Sequence, residues 1–292
     1  MQVPIRRYRL YPKSMREEDF SAKSFAAEER LVDISPSQSA IISVDTWNNC
    51  YGDEPFYPEK GRFSELTYLG NGSEVARKIR DILDNRIALL FAAARRCGVQ
   101  LIHSMPGYIA DRDCYRPYHL YPDMEVEAPT PQEWPPAEFR QALSDEITRW
   151  TWGEQAPQEW PAIRAKMDFA PPVAPVPGDI VMPQDHATVP KLQRHFRKRG
   201  IDTLFFVGFL ANACLLYKPG ALVDMGRRLG YRCIVLRDCC QTTEYEDTID
   251  DFATQRIFTK LIETGPYFTS DSKALIEAME GTPNGGADGA GD

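Results

Sequence analysis

Apolar positions along the chain fall into two alternating kinds of segment. Ala40 to Asp45, Val99 to Ser104, Asp202 to Gly208 and Cys233 to Leu236 are short, nearly continuous apolar runs closed by polar or small residues, the pattern of strands buried on both faces. Between them lie segments of helical period. Val75, Ile79, Ile82, Leu83, Ile87, Leu90 and Ala94 recur at helical spacing behind Ser73, a capping residue, and stop at Gly98. Val189 to Arg199, Leu222 to Leu229, Thr248 to Glu263 and the stretch from the cap Asp271 to Met279 continue the series, and Tyr267 to Thr269 reads as a short edge strand. Strands alternating with helices predict a doubly wound parallel sheet in a three-layer α/β/α domain, joined by right-handed crossovers. No Gly-x-Gly-x-x-Gly follows the first strand, so a dinucleotide site is not expected.

The 292 residues are enough for one large domain, expected over 39–280. Residues 1–38 are polar and mixed in charge, an N-terminal arm that wraps the surface or reaches a partner subunit; 281–292 reads as a disordered tail. Residues 107–177 form an insertion rich in tryptophan and proline, with helical stretches near Ala137 to Thr148 and Pro161 to Met167. A surface layer, a dimer contact and a pocket lid are its three readings. The net charge of -8 and the lack of a basic cluster argue against nucleic acid as a partner. No apolar run has membrane-spanning length, so no membrane association is expected. Seven cysteines without paired spacing, in a sequence with no apolar leader, point to reduced thiols and a cytoplasmic location.

Two strand ends carry candidate chemistry. Asp45 closes the first strand at its carboxyl end, where parallel sheets place their sites, although an aspartate there also serves as a turn or cap residue. Cys214 follows the run Thr203 to Gly208 and opens the next helix, where unpaired N–H groups favour a thiolate and can hold an oxyanion. A nucleophile and a buried structural cysteine are both consistent with that position. His103 ends the second strand, where it either faces the site or is a satisfied structural group. Pro219 and Gly220 break the helix after Cys214.

Gly208-Phe209-Leu210-Ala211-Asn212-Ala213-Cys214 resembles the Gly-x-x-Thr-Asn-x-Cys turn of the isochorismatase-like cysteine hydrolases, which include nicotinamidases and N-carbamoylsarcosine amidohydrolases. Ile41 to Asn48 resembles that family's first strand with its catalytic Asp, and Ala92 to His103 its first crossover helix and second strand. The likeness runs from about Ser39 to Met279 apart from the insertion. It implies a covalent mechanism. Asp45 would act as general acid and base, Cys214 as nucleophile, and the N–H groups of Leu210 and Cys214 as oxyanion hole, with a cis bond before Leu210.

Trp47, Asn48, His103, His186, Leu210 and Ala211 are the implied substrate contacts, and the loop Asn48 to Asn71 the implied pocket wall. Pro177 to Met182 resembles the strand leading to the family's catalytic Lys, but Gln184 stands in that position. A glutamine supplies no cation, so Lys218, Lys191 and His186 are alternatives for that role. Most of the family cleaves an amide or ureido C–N bond, while isochorismatases cleave a vinyl ether; a C–N bond of a small molecule is expected here. A catalytically altered ligand-binding scaffold is the alternative. The Asp-x-His pair of nicotinamidase metal sites is missing, so no metal or other cofactor is expected. A phosphatase using Asp45 needs a second Asp two residues on, where this chain has Trp47. Relatives of this kind are oligomeric, and a homo-oligomer is expected.

Overall fold

The structure is a computed structural model and describes residues 1–10, 21–48, 50, 51, 72–154 and 156–281. Most of the loop Asn48 to Asn71, the side-chain cap of Ser73 and the tail beyond Gly281 lie outside the described residues. In chain order the elements are β1 (Gln2–Arg9), β2 (Ala26–Asp33), β3 (Ser39–Val44), α1 (Gly72–Ile82), α2 (Ala88–Arg96), β4 (Gln100–Met105), α3 (Gly107–Ala110), α4 (Ala137–Trp152) and α5 (Ala156–Lys166). They continue with β5 (Ile180–Pro183), α6 (Thr188–Arg199), β6 (Thr203–Phe209), α7 (Cys214–Tyr217), β7 (Arg232–Gln241), α8 (Ala253–Thr264), β8 (Phe268–Ser270) and α9 (Ser272–Glu280). One π-helical stretch, Leu83–Ile87, joins α1 to α2, and another, Val223–Arg228, precedes β7.

The sheet has eight strands in the order β2-β1-β8-β7-β6-β3-β4-β5. From β8 to β5 every pairing is parallel, and β3 lies between β4 and β6, so the chain winds outward in both directions from its first parallel strand. Every residue of β3 and β6 is buried, which is why both read as continuous apolar runs. Alternate side chains go to opposite faces. Ile41, Leu101, Phe205 and Val207 pack with Ile79, Leu83, Leu90, Phe91, Leu275 and Met279 from α1, the first π-helical stretch, α2 and α9. Ile42, Val44 and Phe206 pack with Leu192, Phe196, Met225, Phe258 and Ile262 from α6, the second π-helical stretch and α8. The expected three-layer α/β/α fold is the observed one.

Residues 1–38 differ from the expected arm. They supply β1 and β2, an antiparallel hairpin that extends the sheet beyond β8. Val3 and Ile5 sit in the core with Leu275 and Met279, so a period-two pattern is present in a stretch whose arginines disguise it. Arg6 Nε lies 3.1 Å from Oε1 of the fully buried Glu263 and ties the hairpin to the end of α8. The helix expected from Thr248 begins only at Ala253, after turns. In the insertion, α4 packs chiefly against α5. Among the described residues no helix is long and apolar enough to cross a membrane.

Candidate active site

The carboxyl ends of β3 and β6 are neighbours, with Val44 opposite Gly208. Gly208 has φ +119°, and a Cβ there would lie 2.0 Å from the Val44 carbonyl oxygen, so only glycine lets the two strand ends come this close. Asp45 follows at once. Its N–H donates to Ser104 O at 3.1 Å, its φ is 51°, and the turn carries its side chain into the interior at 2% exposure.

Gln184, just past β5, is held by its own N–H to Met105 O at 3.0 Å. Its side-chain Nε2 donates to Asp45 Oδ1 at 2.7 Å and to Ser104 O at 3.2 Å. The residue that replaces the expected lysine therefore keeps a donor on the aspartate while supplying no charge. Ser104, which no sequence signal singled out, organises this corner through its carbonyl, a backbone atom that every residue type possesses.

Cys214 is reached from β6 through a cis peptide bond between Phe209 and Leu210, as the resemblance implies. The turn is pinned to the end of β7 on two sides, by Ala211 N–H to Gln241 O at 2.8 Å and by Thr243 N–H to Asn212 Oδ1 at 3.1 Å. Leu215 N–H donates back to Leu210 O at 3.2 Å. The Cys214 thiol is half-buried, reaches the Asp45 carboxyl and takes a hydrogen bond from the Leu210 backbone N–H. Asp45 Oδ2 is buried with no conventional hydrogen-bond partner.

The electrostatics correct one expectation. The Cys214 thiol is pushed well above the ordinary thiol range, first by burial and then by the charge and hydrogen bond of Asp45. Lys218 and the Leu210 N–H pull the other way without reversing the shift. Helix α7 has only four residues, so it offers little of the dipole that a longer helix would bring to bear on the thiol. Burial likewise raises Asp45 to about 6, opposed by the Cys214 hydrogen bond, the Lys218 charge and the Gln184 hydrogen bond. Above that pH the pair is a carboxylate beside a neutral thiol.

The structure thus brings together Asp45, Gln184, Cys214 and Lys218. Lys218 does not stand on the helical face of Cys214, since α7 ends before it and its backbone is extended, yet its charge acts on both partners. Leu210 and Trp47 are half-buried beside the two strand ends. Of the other residues expected to touch substrate, His103, Ala211 and Asn48 are engaged within the protein, and His186 is exposed. His103 is fully buried, with its Nε2 3.3 Å from Asp179 Oδ2 and its ring edge-on to Phe91 and Phe169. Burial lowers its pKa against the pull of Asp179, while hydrogen bonds from His103 and Arg95 hold Asp179 down to about 2 against the effect of burial. It faces the layer under α2 and has no surface to offer a ligand.

His186 is exposed in the turn before α6, and among the described residues it is not one of the groups that perturb Asp45 or Cys214. Lys191 lies within α6 and is not one of them either. Ala211 is fully buried and its N–H is taken by Gln241. Asn48 uses both ends of its amide to hold the close of the insertion, accepting from Asp168 N–H at 2.9 Å and donating to Lys166 O at 3.3 Å. Among the described residues no group of three or more His, Cys, Asp or Glu is placed to hold a metal ion.

A doubly wound sheet with a cysteine on the turn after one central strand and an aspartate at the end of the next defines a class of α/β protein. The family model of the isochorismatase domain matches residues 71–265, and the chain belongs to that hydrolase family. Comparison with curated proteins gives no match. Among solved structures, the chain is similar to a cysteine hydrolase from Pseudomonas syringae pv. phaseolicola 1448A at 19% identity, covering 85% of this chain and 94% of that one with a TM-score of 0.46. An isochorismatase family protein from Burkholderia thailandensis is 17% identical over 85% of this chain and 97% of that one, with a TM-score of 0.43. An N-carbamoylsarcosine amidase from Thermoplasma acidophilum is 16% identical over 80% of this chain and 96% of that one, with a TM-score of 0.38.

Proposed function

We propose that this protein is a cysteine hydrolase that cleaves an amide or ureido C–N bond of a small molecule. The observation that carries the proposal is the mutual perturbation of Asp45 and Cys214, with Gln184 Nε2 2.7 Å from Asp45 Oδ1. With Asp45 ionised and the thiol neutral, Asp45 takes the sulfur's proton as Sγ bonds to the carbonyl carbon. The resulting oxyanion is stabilised by the N–H groups of Leu210 and Cys214. Asp45 then passes its proton to the leaving nitrogen as the C–N bond breaks, leaving a thioester on Cys214. Water attacks that thioester with Asp45 again as base, the acid departs, and the thiol regains its proton.

Gln184 orients the carboxylate, and Lys218 supplies the positive charge that the missing lysine would have brought. A second reading, a ligand-binding scaffold, is favoured by the raised thiol and the neutral Gln184.

The two readings separate by mass spectrometry of the full chain quenched during incubation with primary amides and ureido compounds. An acyl adduct on Cys214, absent in Cys214→Ala and greatly reduced in Asp45→Asn, is the expected result. Compounds that bind wild type and Cys214→Ala equally, with neither adduct nor released amine, would establish the scaffold instead.

A further inference from the structure

Arginines that lie far apart in the sequence meet at one end of the sheet. Within the hairpin, Arg9 stands opposite Ala26, Arg7 opposite Glu28, Ile5 opposite Arg30 and Val3 opposite Val32. Side chains alternate along each strand, so Arg7, Arg9, Glu28 and Arg30 share one face with Ile5 and Val32. Arg6 pairs with Thr269 and Phe268 with Ile234, which continues that face across β8 and β7 to Phe268 and Arg232. Arg232 opens β7, Phe268 opens β8, and Arg9 closes the antiparallel β1. The group therefore lies at the amino ends of the parallel strands, away from Asp45 and Cys214 at the carboxyl ends.

These residues line a cavity of about 410 Å³, within the range of small-molecule sites. Ile5, Val32 and Phe268 are its apolar lining. Arg7 is fixed by donating to Gly265 O at 2.8 Å, with its guanidinium 5.5 Å from the centre of the Phe268 ring. The Arg9 side chain is only 7% exposed, and its Nε lies 3.0 Å from Glu28 Oε1. Arg30 Nη2 lies 3.6 Å from the other oxygen of the same carboxylate. Glu28 is the one carboxylate among the described lining residues. Four guanidinium groups against one carboxylate leave an excess of three positive charges, in a chain whose net charge is -8.

Cations gathered in one cavity repel each other, and an anion that accepts from several of them relieves that repulsion. Guanidinium forks match phosphate oxygens in geometry as well as charge. The apolar lining beside them favours an organic body over a bare ion, and the acidic remainder of the chain repels extended polyanions such as nucleic acid or an anionic membrane. We propose that this cavity binds a small phosphate-bearing metabolite of about mononucleotide size. Its phosphate groups meet Arg7, Arg30 and Arg232, its body lies against Ile5, Val32 and Phe268, and Arg9 with Glu28 braces Arg30. The site is separate from the Asp45–Cys214 pair and does not depend on the reaction proposed there.

The test is isothermal titration of the full-length protein with ADP and ribose 5-phosphate as organic phosphates, pyrophosphate as the bare anion and adenosine as the bare body. At least one organic phosphate is expected to bind with a dissociation constant below about 1 mM, about tenfold or more tighter than pyrophosphate and adenosine. Arg30→Gln with Arg232→Gln should weaken it by about 30-fold or more, since each charge-assisted contact is worth about tenfold. Both side chains are exposed, so the melting temperature without ligand should stay that of wild type. Arg197→Gln with Lys198→Gln, the same loss of charge on α6, should leave the affinity within about twofold. Cys214→Ala should bind as wild type does, which separates the cavity from the active site. The proposal is overturned if neither organic phosphate binds below about 1 mM, or if pyrophosphate or adenosine binds as tightly. It is overturned equally by an affinity indifferent to the Arg30 and Arg232 changes or lowered as much by the α6 control. Binding that emerges only when Glu17, Glu18 and Asp19 are changed to Gln, Gln and Asn would assign the arginines to the chain's own carboxylates instead.

Discussion

Asp45 sits at an unusual backbone conformation and in an environment that opposes its charge. It has a positive φ and 2% exposure, and its pKa of about 6 stands above its ordinary value of 3.8. A carboxyl raised in the folded state binds more protons there than in the unfolded chain between about pH 4 and pH 6, so stability falls as pH rises through that window and stays reduced above it. A two-unit shift corresponds to about 3 kcal/mol as an upper figure, which relaxation of the unfolded and folded states reduces. Asp45→Asn keeps an acceptor for Gln184 Nε2 and removes the charge. In urea unfolding it should be more stable than wild type by about 2 kcal/mol at pH 7.5 and nearly equal to it at pH 4, while wild-type turnover should rise with pH around a midpoint near 6. Equal stability at both pH values would mean that Asp45 is not raised.

The charge assigned to Lys218 is open to an equally direct test. Lys218→Gln should slow iodoacetamide alkylation of Cys214, and Gln184→Lys should speed it, each by about fivefold, since a unit of thiol pKa changes the thiolate fraction tenfold while nucleophilicity partly compensates. Peptide mapping separates Cys214 from Cys114, which is exposed and should react alike in every variant. No change in Lys218→Gln would remove Lys218 from the machinery.

At the scale of the element, the sequence speaks where burial is complete and falls silent where backbone geometry decides. The central strands β3, β4 and β6 are legible because both faces are covered, so an apolar run is their whole signature. Asp45 and Cys214 are legible because each closes or follows such a run and because the turn before Cys214 carries its own motif. The four-residue length of α7 was only half visible, in Pro219 and Gly220, and with it went the expectation of a thiolate stabilised by a helix terminus. Asn48 and His103 are legible as residues at strand ends, and the second reading of His103, a satisfied structural group, is the one observed, but their partners are not legible. Their hydrogen bonds go to Asp168 and Asp179, residues 120 and 76 positions away that no local pattern connects to them. Ser104 and Gln241 act through carbonyl oxygens, which leave no mark on residue type.

At the scale of the whole molecule, the hairpin β1–β2 closes one end of a sheet that would otherwise leave β8 as a bare edge. It does so with few apolar residues, so polar contacts must fix its register. Glu263 is fully buried, accepts from Thr269 Oγ1 at 2.7 Å and faces Arg6 Nε at 3.1 Å, while its Oε2 has no hydrogen-bond partner. Ser270 Oγ donates to Pro4 O at 2.6 Å and Arg7 to Gly265 O at 2.8 Å alongside it. Removing the guanidinium from this group strands a buried carboxylate, which costs far more than the pair itself contributes. The Arg6 side chain is 37% exposed, so water softens the loss. Arg6→Met, which keeps an apolar stem over the site, should therefore destabilise the protein by about 2 kcal/mol in urea unfolding at neutral pH. Adding Glu263→Gln should recover more than half of that, because the stranded charge is then gone while the acceptor for Thr269 remains. A neutral Arg6→Met would show the hairpin to be held by Val3 and Ile5 alone, and an unrecovered double variant would place the cost in lost packing instead of charge.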